Sequence, residues 1–280
     1  MMSQIERRGF LAGGLSLAAL GFSIGVATTA TSRSDSLRLG VASYSLRKFS
    51  RTQAIEMIKS LRILYVNIKE FHLRYASTPE ELRSGRQEFE SAGLQIVGGG
   101  TIALREDSDD DIRRYFEYAK TSGMPLMVIA PTRQTLPRIE RFVKEYNIQV
   151  AVHNHGPEDE HFPAPQDALR EIRSMDPRVG LCIDVGHTAR AGADVVKSIA
   201  EAGRRLLDMH IKDLRSFSDR DSQCVVGQGI MPVAEIFKQL IKMKYEGCVN
   251  LEYEIDADSP LPGMQQSFAY MRGVLKGLAA

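Results

Sequence analysis

The sequence predicts a single (βα)8 barrel over residues 37–280. Three observations carry that expectation. Short β-rich apolar runs take turns with longer charged segments of helical period. Eight of each occur in strict alternation, which calls for a parallel sheet. The stretch also has the length such barrels usually have, about 250 residues. An open doubly wound sheet is the runner-up. Its GxGxxG fingerprint is missing after the first strand, where the chain reads Gly40-Val41-Ala42-Ser43.

In order, the expected strands are Leu37–Ser43, Leu64–Phe71, Leu94–Gly98, Pro125–Ala130, Ile148–Asn154, Val179–Val185, Leu206–Ile211 and Cys248–Tyr253. Each is bounded by turn-forming residues and is short enough to cross a barrel wall once. The expected helices are Thr52–Ser60, Pro79–Ala92, Asp109–Thr121, Thr135–Tyr146, Pro165–Met175, Gly192–Ala202, Pro232–Met243 and Pro262–Gly277. Start signals mark several of them, such as Ser77-Thr78-Pro79-Glu80-Glu81 and Ser108 before three aspartates. Gly93 and Gly123 stand where helix-ending glycines belong. Val226-Gly227-Gln228-Gly229 reads as a tight turn rather than a phosphate cradle, because no basic residue lies near it.

Residues 1–32 read as an address. Arg7 and Arg8 precede Phe10-Leu11, then a glycine-rich, mildly apolar run leads to small residues around Ala27–Ser32. This resembles a twin-arginine export signal. A membrane anchor is the competing reading, since the run approaches the ~18 residues needed to span, but its glycines make it a weak spanner. The expectation is therefore a periplasmic or otherwise exported protein that meets the membrane only during export.

The 280 residues carry 36 Lys and Arg against 35 Asp and Glu, a formal net charge of +1. Proteins that grip a nucleic-acid backbone usually have a clear basic excess, so no nucleic-acid partner is expected. Three scattered cysteines, with no CxxC, exclude a disulfide framework and a thiolate zinc site.

Functional residues in such a barrel lie at the C-terminal ends of the strands. Of six histidines, five (His72, His153, His155, His187 and His210) fall at or just past an expected strand end. Strand two ends Ile68-Lys69-Glu70-Phe71-His72 and strand five Val152-His153-Asn154-His155. Strand six ends Cys182-Ile183-Asp184-Val185-Gly186-His187, strand seven Met209-His210-Ile211-Lys212, and strand eight Leu251-Glu252-Tyr253-Glu254. Residues two apart share a face, so Glu70 should pair with His72, His153 with His155, and His210 with Lys212. Asp184, His210 and Glu252 each sit between apolar neighbours and should point into the barrel mouth. Converging buried acids need neutralising, and one divalent cation does that. Mixed imidazole and carboxylate donors suit zinc, manganese or iron better than magnesium or calcium.

The segments IKEFHL, VHNHGPED, CIDVGHTARAG and HIKD together resemble the xylose isomerase-like TIM barrels. That group includes sugar isomerases, sugar epimerases, inosose dehydratases, 3-keto-glycoside lyases and abasic-site endonucleases. The resemblance implies a metal held by Asp184, His210 and Glu252, with a fourth ligand from strand five. Epimerase-type members carry Glu there; this chain has His153, with His155 the competitor on the same face. The two-glutamate proton relay of those epimerases is thereby incomplete, and Glu252, His155 or Lys212 remains as the single base. The resemblance thus implies a metal-dependent isomerase or epimerase acting on a keto-sugar by α-proton abstraction and a metal-stabilised enolate. A lyase or dehydratase acting on 3-keto-glycosides by β-elimination is the alternative. Glu70, His72, His187 and Lys69 are expected to contact a small carbohydrate. An abasic-site endonuclease ranks lower: those enzymes place Asp-x-His after strand seven, where this chain has Asp219-Arg220-Asp221.

Overall fold

A computed structural model describes residues 37–280 of the chain, so the export segment expected at 1–32 lies outside the described residues. Eight parallel strands close into a barrel in the order β1-β10-β7-β6-β5-β4-β3-β2. They are β1 (Arg38–Ala42), β2 (Tyr65–Ile68), β3 (Gln95–Leu104), β4 (Leu126–Pro131), β5 (Gln149–His153), β6 (Val179–Asp184), β7 (Leu206–Ile211) and β10 (Cys248–Leu251). A two-stranded antiparallel ladder, β8 (Asp213–Leu214) with β9 (Gln223–Cys224), rises from the loop after β7.

The helices lie on the outside, as βα alternation demands. They are α1 (Arg51–Ser60), α2 (Pro79–Ser91), α3 (Asp109–Thr121), α4 (Leu136–Tyr146), α5 (Pro165–Ile172), α6 (Val185–Arg190), α7 (Val195–Ala202), α8 (Val233–Lys242) and α9 (Leu261–Leu278). Reciprocal side-chain caps fix two starts: Ser50 with Gln53 on α1, and Thr78 with Glu81 on α2. Gly93 and Gly123 follow α2 and α3 at φ 78° and 68°, the left-handed conformation that ends a helix. Among the described residues, no helix is long and apolar enough to cross a membrane.

Strand alternation divides the side chains. Val41, Val66, Ile129, Val150, Ile183, Met209 and Leu251 join the large core between sheet and helices. Val128, Ala151 and Cys182, on the opposite face, form a small separate cluster inside the barrel. The same inward face carries polar groups. Asp208 is buried and accepts from Asn67 Nδ2 and Asn250 Nδ2, each at 2.7 Å. Burial pushes the Asp208 carboxyl up to about 6.

Four sequence expectations are corrected here. β2 stops at Ile68, and the chain then turns, with the His72 and Leu73 amides donating to Lys69 O at 3.0 and 3.2 Å. Glu70 and His72 therefore do not share a strand face. β3 runs on to Leu104, six residues past its expected end at Gly98. β6 gives way at Val185 to α6, a helix that the glycine in VGHTAR concealed. The loop after β7 holds the β8–β9 ladder, which no hydrophobic alternation announced.

Candidate active site

Register places the site. Asp184 stands opposite His210 across β6 and β7, and Asn250 opposite His210 across β7 and β10. His153 ends β5, and Glu252 follows the last residue of β10. One donor atom from each of His153, Asp184, His210 and Glu252 lies within 4.8 Å of the others, and all four residues are buried. His153 Nε2 is 3.0 Å from His210 Nδ1 and 3.8 Å from Asp184 Oδ2, while His210 Nδ1 is 3.3 Å from Glu252 Oε2. A tetrahedral ion with bonds of about 2.0–2.1 Å has donor–donor edges of about 3.3–3.4 Å. The observed separations bracket that value.

The donor chemistry fits a cation as well. Asp184 Oδ2 is buried and accepts no hydrogen bond. Lys212 Nζ approaches it to 3.0 Å, but off the hydrogen-bonding direction. The Lys212 ammonium offsets part of the charge of this buried oxygen, and its unused hydrogen-bonding capacity leaves it able to bind a further cation. Asp184 is oriented by its other oxygen, Oδ1, which accepts from the His187 amide at 2.9 Å and caps α6. Burial, reinforced by His155 and His210, holds the His153 imidazole well below its ordinary pKa, in the neutral form that binds metals. Burial pushes the Glu252 carboxyl up, but His210, Lys212 and Lys69 together overturn that and hold it well below the usual carboxylate range.

Two lysines flank the cluster. Lys212 Nζ lies 3.0 Å from Glu252 Oε2 and also pairs with Glu254. Burial works against its charge, yet Asp184, Glu252 and Glu254 raise its pKa well above normal. These carboxylates favour Lys212 as an ammonium in the metal-free chain, a form that stabilises an anion rather than takes a proton. Its stem runs over Gly186, where a Cβ would stand 2.8 Å from Lys212 Cδ. Lys69 Nζ sits 3.6 Å from Glu252 Oε1.

A cleft of ≈ 950 Å³ opens above, lined among others by Lys69, Glu70, His153, His155, His187, Lys212 and Glu252. The His155 ring stacks 4.3 Å from that of His153, but its Nδ1 pairs with Asp159 Oδ2 at 3.2 Å, outside the four-donor cluster. His187 lines the same wall, with its pKa lowered chiefly by burial. Glu158 is taken up by Arg190.

His72 is corrected. It does not line the cleft: its Nδ1 meets Ser43 Oγ at 3.0 Å and its Nε2 meets Leu46 O at 3.1 Å. It is a satisfied core histidine that ties the β1 and β2 loops together. The glycine loop before α8 also has an owner. Asp213 Oδ2 accepts from the Gly227 and Gly229 amides at 2.9 and 3.0 Å, and Oδ1 from those of Leu214 and Met231, both at 2.9 Å.

Sequence reasoning missed Tyr44, Phe71 and Gln223, which also line the cleft. Phe71 is exposed and packs edge-on against Tyr44, with ring centroids 5.7 Å apart. It had been assigned to the strand, and only the turn after Ile68 brings it to the rim.

Fold and site together define a TIM barrel with a mixed histidine–carboxylate cluster at its C-terminal mouth. The chain belongs to the xylose isomerase-like TIM barrel family, whose model matches residues 53–274. It is similar to an inosose dehydratase of Mesomycoplasma hyopneumoniae (strain 7448), at 26% identity over 161 residues, 51% of this chain and 53% of that protein. The chain thus spans about half the length of the curated relatives it matches. Its fold is similar to that of the IolI protein with a bound zinc atom, with a TM-score of 0.73 at 14% identity over 86% of this chain and 99% of that one. It is also similar to 3-keto-D-glucoside 4-epimerase from E. coli, with a TM-score of 0.70 at 16% identity over 85% and 99%.

Proposed function

We propose that the protein is a divalent-metal-dependent enzyme of the isomerase or epimerase type. It acts on a keto-sugar by removing the proton α to the carbonyl. The observation that carries this reading is the convergence of four buried donors, one of them a carboxylate oxygen that accepts no hydrogen bond, beside an anionic glutamate and an ammonium on a large cleft. His153, Asp184, His210 and Glu252 would hold the ion. When bound, a zinc, manganese or iron ion polarises the substrate carbonyl.

The chain's own residues account for the proton. Glu252 turns Oε2 towards His210 and Lys212 and leaves Oε1 on the Lys69 side, where it takes the α-proton. The Lys212 ammonium compensates charge that develops on the carbonyl oxygen. The Asp184 and Glu252 carboxylates would balance a dication, and Lys69 and Lys212 would add positive charge where an oxyanion forms.

A second reading is favoured by His153. The family resemblance implies a glutamate of epimerase-type members at this position, and its replacement by His153 leaves Glu252 as the single glutamate base in the cluster. One-base chemistry suits β-elimination, as in a dehydratase or a 3-keto-glycoside lyase. The His155–Asp159 pair would then protonate the departing oxygen. The small carbohydrate is met outside the cytoplasm if residues 1–32 direct export, as their twin-arginine pattern leads us to propose.

The test is exchange in D2O. Keto-sugars and 3-keto-glycosides incubated with enzyme and Mn2+ should gain deuterium α to the carbonyl, followed by NMR. An isomerised or epimerised product supports the first reading, and an enone with loss of water or aglycone supports the second. No exchange with any metal or keto-sugar would overturn both.

A further inference from the structure

The barrel ladder is one rung short where the site needs it. Glu252 N donates to Ile211 O at 3.0 Å, as in a continuing parallel pair of β10 and β7. In such a pair the next residue but one on β7, residue 213, would donate its N–H to Glu252 O and accept from Glu254 N. Asp213 has instead left the barrel to pair with Cys224 in the β8–β9 ladder. The side chain of Gln223 fills the gap. Its Nε2 donates to Glu252 O at 2.6 Å and its Oε1 accepts from Glu254 N at 2.9 Å. One side-chain amide thus makes both bonds that the backbone N–H and C=O of residue 213 would have made. On the opposite edge Ser45 Oγ donates to Leu251 O at 3.3 Å and accepts from Tyr253 N at 2.8 Å.

We propose that Gln223 is a positioning residue for Glu252, a peptide mimic that extends the barrel wall by one rung so that the Glu252 carboxylate faces the ion and the substrate. Gln223 is buried, at 7% exposure, and its two contacts bracket the one ligand that lies beyond the last regular residue of its strand. Asp213 anchors the other end of the loop through its four backbone donors, so Gln223 is presented from a fixed base. The proposal rests on the metal site argued above.

The experiment uses the full chain with Gln223→Met, which removes both bonds at similar volume, and Gln223→Glu, which keeps the acceptor and loses the donor. Two readouts are taken. The first is amide hydrogen exchange of the 250–255 segment in metal-free protein. The second is Mn2+ or Zn2+ affinity by calorimetry. Gln223→Met should speed exchange at Glu254 and weaken metal affinity about 10–100-fold, the range for lost support of a ligand. Gln223→Glu should leave Glu254 protected and fall between parent and Gln223→Met in affinity. A merely structural role would lower the melting temperature and leave affinity within about two-fold; that result in either folded variant overturns the proposal. Should the Met variant not fold, the Glu variant decides alone, and parent-like affinity in it is the overturning result. A parent chain that binds no metal overturns both the site reading and the positioning role. Altered exchange in Gln223→Met would then show the rung alone to be real.

Discussion

His153 Nε2 faces His210 Nδ1 at 3.0 Å inside the barrel mouth, each nitrogen also turned towards a carboxylate, Asp184 for His153 and Glu252 for His210. With His153 held neutral by burial, the pair would form one edge of the proposed metal site, with Asp184 and Glu252 at its other corners.

Asp184 has two separable duties, one oxygen to the cluster and one to the cap of α6. Asp184→Asn keeps a cap of similar strength and removes the charge, so metal affinity should fall by more than about 100-fold with little change in melting temperature. Asp184→Ala should lose affinity equally and about 1 kcal/mol of stability besides. Calorimetry and thermal melts check both.

His153 and His155 are told apart by their contacts. His153→Ala should lose tight metal binding, because it removes a corner. His155→Ala should keep affinity within a few-fold, because its ring is engaged with Asp159, but should slow catalysis if the pair protonates a leaving group. His153→Glu should retain the metal and place a second glutamate beside Glu252 in the cluster. Metal analysis and product NMR on the three variants check this.

His72 should prove irrelevant to the metal and important to the fold. His72→Leu takes one of two partners from both Ser43 Oγ and Leu46 O and should cost about 1–3 kcal/mol of stability with unchanged metal affinity. Denaturant unfolding beside calorimetry is the check.

Asp208 gives a pH signature. Its folded pKa of about 6 exceeds the unfolded value, so the folded state binds the extra proton between about pH 4 and pH 6. Stability from this group is therefore greatest below that window and declines as pH rises through it. The full difference is on the order of 3 kcal/mol. Asp208→Asn should flatten this slope, since Asn67 can turn its unpartnered Oδ1 towards the new amide. Urea unfolding of metal-free parent and variant from pH 4 to 7 compares the two slopes.

Much of this architecture was legible in the chain. Alternating apolar and charged stretches marked all eight barrel strands, because each parallel strand is buried on both faces and reads as an unbroken apolar run. Asp184, His210 and Glu252 stood out as ionisable residues within such runs. Lys69 to His72 misled because IKEFHL alternates like a strand, whereas tertiary contacts from Ser43 to Lys69 N and His72 turn it into a loop. α6 was concealed because Gly186, required where the Lys212 stem passes, weakens its helical pattern. Gln223 left no signal, since a glutamine in a polar loop looks like any other until the missing backbone rung beside Glu252 is seen.

The most direct measurement is the metal content of the protein purified without added metal, then again after reconstitution. The account predicts about one zinc, manganese or iron ion per chain, lost in Asp184→Asn. No bound metal even after reconstitution would contradict it. About three zinc ions per chain would contradict it in the other direction, pointing to the chemistry of the nucleases of this fold.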